Sequence, residues 1–250
     1  VEAGASLLGL RVTTYTPDEV ARLGEPGAAG ERLGALHAAI LGARLPAATM
    51  AALAERSGAP VIEAGGPGGD PAGALADLLV VERALGALDG RKLAWIGDAT
   101  GLFHDVLVGG ASLGLSVAIA HPVGFAPDME RVTWARERAA LSRAAVLVTT
   151  ELAEALHDAS AVYVEPWPAG AEDRFRSYAL QRHTLRPTRG GCVFLHSAPE
   201  RRGGECSPSL LDDPGWLAME QSRARADAWA AVLGWCLQPD PIRSVLRRER

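Results

Sequence analysis

Cysteine is scarce in this sequence: Cys192, Cys206 and Cys236 are the three among 250 residues. They stand far apart with no Cys-x-x-Cys pair, so they form neither a zinc-ligand pattern nor a disulfide framework, and a reducing compartment fits best. Long apolar runs are also missing. No stretch reaches the length that spans a bilayer, and the first residues lack the basic start and apolar run of a secretory signal. The expectation is a cytoplasmic protein with no membrane partner. Charge of one sign is not gathered into long blocks either. Twenty-five basic residues stand against 30 acidic ones, for a net charge of −5, which gives no broad electrostatic footprint for nucleic acid. The one basic cluster, Arg243, Arg247, Arg248 and Arg250, is interrupted by Glu249 and reads as a solvated helix end. Two glycine signatures are absent as well. Gly97-Asp98-Ala99-Thr100-Gly101 lacks the Gly-x-Gly-x-x-Gly spacing, and the next strand runs to His121, where a dinucleotide fold places an acid for the ribose. No Gly-x-Ser-x-Gly elbow occurs, so a nucleophilic hydrolase has no support. No cofactor and no metal are expected.

What is present is apolar and alternating. With 48% hydrophobic residues the chain can bury a substantial core, and it is long enough for two α/β lobes. Short β-rich runs alternate with helical ones, the pattern of a parallel sheet covered on both faces. In the first set, residues 1–10 read as the end of a helix, 11–15 as a strand, 17–23 as a short helix and 24–30 as a loop. Strands at 38–43 and 60–64 flank a helix at 47–57. Gly65-Gly66-Pro67-Gly68-Gly69 breaks regular structure, after which Asp70 caps a helix that starts at Pro71. The second set has strands at 92–96, 116–120, 145–148, 161–165 and 192–195, with helices at 102–113, 128–142 and 151–158 between them. Such long crossovers join parallel strands. The last helix, 216–237, is apolar at Trp216, Met219, Ala226, Ala230, Leu233 and Leu237, so it needs a surface to cover. The chain begins at Val1 and not at Met, as expected of a processed, truncated or fragmentary chain.

An ordered series of segments carries a resemblance. Gly69-Asp70-Pro71-Ala72-Gly73-Ala74-Leu75-Ala76-Asp77-Leu78-Leu79 resembles the His-Pro-Cys-Gln-Ala-Leu-Ala-Asp-Leu segment of ornithine carbamoyltransferases. Lys92 to Asp98, Pro122 to Asp128 and Ala161 to Trp167 look like successive landmarks of the same family, in the same order and spacing. His196-Ser197-Ala198-Pro199-Glu200-Arg201-Arg202-Gly203 resembles its His-Cys-Leu-Pro-x-His-Arg-Gly, and Gln221-Ser222-Arg223-Ala224-Arg225-Ala226 its Glu-Asn-Arg-Leu-His-Ala. The resemblance implies a two-lobed α/β fold, each lobe a parallel sheet flanked by helices. Residues 1–88 would form a lobe for carbamoyl phosphate and 89–215 a lobe for the amino acid. Residues 216–250 would be a closing helix that returns to the first lobe, with a basic tail. It also implies a homo-oligomer, with a trimer favoured.

The chemistry so implied is attack of an uncharged amine on the carbonyl carbon of carbamoyl phosphate. Negative charge grows on the carbonyl oxygen and the leaving phosphate, so the site needs cationic and N–H donors aimed at them. Measured against this, the sequence departs. The family's Ser-Thr-Arg-Thr-Arg phosphate loop falls before Val1. Asp70 and Gly73 stand where it has His and Gln, Thr100-Gly101 where it has Asn-Asn, and Arg44 is one residue from the place of another arginine. Five residues carry over as substrate-binding candidates: Arg223, Arg202, His196, Ser197 and Glu165. Three of them have a plainer alternative. Arg223 then is an exposed helix arginine, Arg202 a solvated loop residue, and His196 a satisfied buried histidine. Glu165 keeps a carboxylate that can hold an ammonium, and Ser197 a polar group in place of a thiol. No residue is singled out as catalytic. The implied partners are carbamoyl phosphate or another phosphate-like anion, and an amino-acid-like amine. Two readings result: a carbamoyltransferase of ornithine type, or an inactive paralogue that keeps the fold as a binding or assembly module, with little or no citrulline formation expected of residues 1–250.

Overall fold

The computed structural model describes residues 1–66, 68–197 and 204–237. They divide into two compact units: residues 1–73 with the last helix from Arg225 onward, and residues 74–224. Each holds a parallel sheet with helices packed on it.

The first unit runs α1 (Glu2–Leu7), α2 (Pro17–Ala21), α3 (Pro26–Leu36), β1 (Ile40–Gly42), α4 (Ala47–Ser57) and β2 (Val61–Glu63), then the start of α5 (Pro71–Leu85). Strands β1 and β2 pair in parallel, Ile40 opposite Val61 and Gly42 opposite Glu63. Its core gathers Ala5, Ile62 and Ala72 around Trp229 and Leu233 of the last helix. A side chain on Gly4 would collide with Trp229, so α1 lies directly against that helix. Two expectations fail here for physical reasons. The strand expected at 11–15 does not form: residues 11–14 are exposed and, among the described residues, no strand lies beside them to take their N–H and C=O groups. The loop expected at 24–30 is largely helix α3. Its glycines serve packing instead: a Cβ at Gly30 would strike the Leu53 backbone and one at Gly34 the Ser57 carbonyl, so glycines four apart let α3 press on α4.

The second unit holds the rest of α5, then β3 (Lys92–Ile96), α6 (Gly101–Ser112), β4 (Ser116–Ala120), α7 (Met129–Ser142), β5 (Val146–Thr149), α8 (Leu152–Leu156), β6 (Ala161–Val164), α9 (Glu172–Phe175), β7 (Val193–His196), α10 (Pro208–Leu211) and the first part of α11 (Ala218–Leu237). All five strands are parallel, in the order β5-β4-β3-β6-β7. The chain therefore lays strands outward from β3 to one edge, returns, and lays β6 and β7 to the other. The reversal lies between β3 and β6, and in open α/β sheets ligands bind outside the carboxyl ends of the strands at such a point. Helices α6 and α7 start as their sequences dictate: the Thr100 hydroxyl accepts from the Phe103 N–H at 3.3 Å, and the Asp128 carboxylate from the Glu130 N–H at 2.8 Å. The buried face of α11 keeps Leu233 of the expected set but is otherwise turned from it. It consists of Gln221, Ala224, Ala228, Trp229 and Leu233, while Met219 is 64% exposed.

Two predictions follow from this packing. Gly97, directly after β3, has φ 138°, and a Cβ there would lie 2.7 Å from Glu165 Cβ and 2.8 Å from the Glu165 carbonyl oxygen. Only glycine lets the ends of β3 and β6 come this close, so Gly97→Ala is expected to cost on the order of 2 kcal/mol or more in urea unfolding. The second concerns His104 on α6, whose Nε2 accepts the Asp128 N–H at 3.0 Å. Burial first, and then the Arg131 charge, hold its pKa below the ordinary 6.5, against the opposing pull of Asp128 and Asp98. As pH falls the unfolded chain takes up this proton before the folded one does. The contribution of His104 is therefore complete above the unfolded value of 6.5 and is lost as pH falls towards the lower folded value. His104→Gln keeps an acceptor that does not titrate, and should flatten the decline in unfolding free energy as pH falls below 6.5.

Candidate functional site

Strand β6 ends at Val164, and the next residue, Glu165, is buried at the reversal point of the sheet, its N–H donating to the Ile96 carbonyl at 3.0 Å. A buried carboxylate needs donors. Ser197, directly after β7, supplies one: its hydroxyl donates to Glu165 Oε2 at 2.6 Å. Two of the five candidates thus meet at the carboxyl ends of neighbouring strands, where the pairing of Val164 with His196 places them side by side. The short bond fixes the orientation of the carboxyl group, an arrangement suited to meeting a cation such as an ammonium.

The other candidates fare differently. His196 is 3% exposed and packs its ring 5.8 Å from that of Trp216, so it is a buried residue of the strand end. Arg223 is exposed on α11. Arg202 lies outside the described residues, as does the basic tail. Around the same strand ends, Glu205 is 1% exposed and accepts the Trp167 N–H at 3.3 Å, which ties the segment after β7 to the loop after β6. No reactive thiol is on offer at Cys192: burial pushes its pKa up to about 12.

In the first unit the expected cap at α5 is present. Asp70 Oδ1 accepts the Gly73 N–H at 2.9 Å, and Oδ2 lies 3.4 Å from Arg225 Nη1. A Cβ on Gly73 would stand 2.9 Å from that guanidinium nitrogen and closer still to the Asp70 carboxylate, so Gly73 is what lets the two side chains meet over the helix start. The N-terminus of α5, which favours negative charge, thereby receives it from the chain itself. Arg44 is exposed after β1 at φ 58°, its N–H bonded to the Gly65 carbonyl at 2.7 Å.

Sequence reasoning overlooked a buried polar pair of the second unit, Asp77 and Gln221. Asp77 on α5 is 2% exposed and accepts from the Tyr163 hydroxyl at 2.8 Å and from Gln221 Nε2 at 2.9 Å. Its signal was an acid inside the apolar run Ala74 to Val81; an acid in such a place has to be partnered. Gln221 gave the same signal, a polar residue in line with Ala224 and Ala228 on the buried face of α11.

A family described as "Aspartate/ornithine carbamoyltransferase, Asp/Orn binding domain" matches residues 89–236. Among curated relatives, the ornithine carbamoyltransferase of Pyrococcus horikoshii is 28% identical over 193 residues, which are 74% of this chain and 61% of that protein. That of Brucella abortus is 29% identical over 196 residues, 76% of this chain and 62% of its own length. The chain thus spans about three-fifths of the length of these relatives. Among solved structures, ornithine carbamoyltransferase from Gloeobacter violaceus aligns with a TM-score of 0.86 at 27% identity, over 94% of this chain and 79% of that one. The Pyrococcus furiosus enzyme shares the fold, with a TM-score of 0.90 at 24% identity over 94% and 79% of the two chains. With more than half of its residues matched by the family's amino-acid-binding domain, the chain belongs to the aspartate/ornithine carbamoyltransferase family.

Proposed function

We propose that this protein serves carbamoyl transfer from carbamoyl phosphate to an amino-acid-like amine, and that residues 74–224 supply the part that holds the amine. One observation carries this reading: the buried Glu165 carboxylate, anchored by Ser197 at 2.6 Å, stands at the reversal point of the parallel sheet. A carboxylate fixed there orients an ammonium or a nearby amine without a covalent step, which is what attack by a free amine on a carbonyl requires. Ornithine, the substrate named for the relatives, is the first amine to test. The reading includes self-association, with a trimer expected from the resemblance.

The Asp70–Arg225 pair favours a second reading, a binding protein that does not transfer. Asp70 puts a carboxylate at the helix start where the family resemblance places donors to the carbamoyl group, and it neutralises Arg225 in doing so. Loss of one donor of this kind costs on the order of a hundredfold in rate. Calorimetric titration of the 250-residue protein with L-ornithine and other amino-acid amines, beside a citrulline assay with carbamoyl phosphate, separates the readings. Amine binding that Glu165→Gln weakens about tenfold or more is expected. Citrulline formation is expected to be at least about a hundredfold below ordinary enzymatic rates. Binding without any turnover would favour the second reading, and ordinary turnover would show that Asp70 does not impede the reaction. An amine that binds Glu165→Gln as well as the unchanged protein would overturn the role of Glu165.

A further inference from the structure

The five strands of the second unit leave β7 at an edge, so among the described residues every second N–H of β7 has no strand to bond. Phe194 solves this with the Gly215 carbonyl at 2.8 Å. His196 solves it with a side chain: its N–H donates to Gln221 Oε1 at 3.0 Å. Gln221, 3% exposed, uses its other end to donate to Asp77 Oδ1 at 2.9 Å, and Asp77 Oδ2 accepts from Tyr163 at 2.8 Å. Tyr163 is itself clamped, its ring stacked on Trp95 with centroids 4.0 Å apart. One buried carboxylate therefore joins α5 to β6 and, through Gln221, α11 to the end of β7.

The two strands so held are those that carry Glu165 and Ser197. Tyr163 is two residues before Glu165, on the same strand, and His196 is the residue before Ser197. At this level the ladder between the strands is giving out, since the Ser197 N–H reaches the Val164 carbonyl at 3.4 Å. We propose that Asp77 and Gln221 are positioning residues that hold Ser197 against Glu165. Buried polar chains of this kind act as a unit: each link fixes the orientation of the next, and loss of one leaves its neighbours unpaired in a medium that penalises this. The proposal rests on the reading of Glu165 and Ser197 as the amine site, so its test reads the strand ends directly as well as through a ligand.

The test reverses a donor and an acceptor. Gln221→Glu sets two carboxylates face to face and removes the donor to Asp77. Combined with Asp77→Asn, the amide of residue 77 donates to the new carboxylate and still accepts from Tyr163, while that carboxylate still accepts from the His196 N–H. Amide hydrogen exchange at His196 and Ser197 and affinity for L-ornithine are measured in the 250-residue protein. Gln221→Glu is expected to speed exchange at both amides and to weaken ornithine binding, each by about tenfold, and the double variant to recover most of both losses. Tyr163→Phe keeps the ring stack and removes one link; it should fold and speed exchange at Glu165. A double variant that does not fold, or that folds without recovery, overturns the proposal. So does Gln221→Glu that loses melting temperature while exchange at His196 and Ser197 and ornithine affinity stay as they were, because this marks a merely structural role. If the unchanged protein binds no ornithine, the amine reading falls, and the exchange measurements still decide whether the network holds the pair.

Discussion

The close approach of β3 and β6 is the constraint from which the rest of the second unit follows. Strand order 5-4-3-6-7 makes β3 and β6, the two neighbouring strands most widely separated in sequence, partners at the centre of the sheet. Their carboxyl ends meet because Gly97 has no side chain to keep the Glu165 backbone away. Just past that contact lie the Glu165 carboxylate, the Ser197 hydroxyl on the next strand, and the Glu205 carboxylate that ties the following segment to Trp167. Apolar packing underneath, with Ile96, Val164 and Phe194 in one cluster, makes the platform rigid. The polar groups above it are then placed to within the short distances that recognition of a small charged group demands.

The first unit shows the same logic turned to a different end. The α5 N-terminus is a natural place for an external anion, yet here Asp70 accepts its free N–H and pairs with Arg225. A pair that is partly exposed contributes little to stability. Its consequence is for recognition: a local field that favours an anion has already been met by the chain. Family membership and this geometry pull in opposite directions, and for that reason transfer and amine binding call for separate tests.

Much of the fold was legible in the sequence. The helix 47–57 and the strands 92–96 and 116–120 fall where their apolar spacing places them, because in each case a local pattern and a tertiary surface agree. The failures occur where only the fold decides. The segment 11–15 has strand-forming residues but, among the described residues, no strand beside it. The glycines of 24–36 look like breakers until α4 is laid against them. On the site, Glu165 and Ser197 were reached through resemblance, and the structure brings them to 2.6 Å, while Arg223 is on an exposed helix face. Asp77 and Gln221 were not reached, since their partnership spans 144 residues of sequence and local spacing carries no trace of it.

The account depends most on Glu165 as the group that meets the amine. A crystal structure of the 250-residue protein grown with L-ornithine would test this directly. The account predicts an ammonium or amine nitrogen of the ligand within roughly 3 Å of a Glu165 oxygen, with Ser197 still bonded to the other side of the same carboxylate. Ornithine seated elsewhere, with the Glu165 carboxylate untouched and still bonded to Ser197, would contradict it.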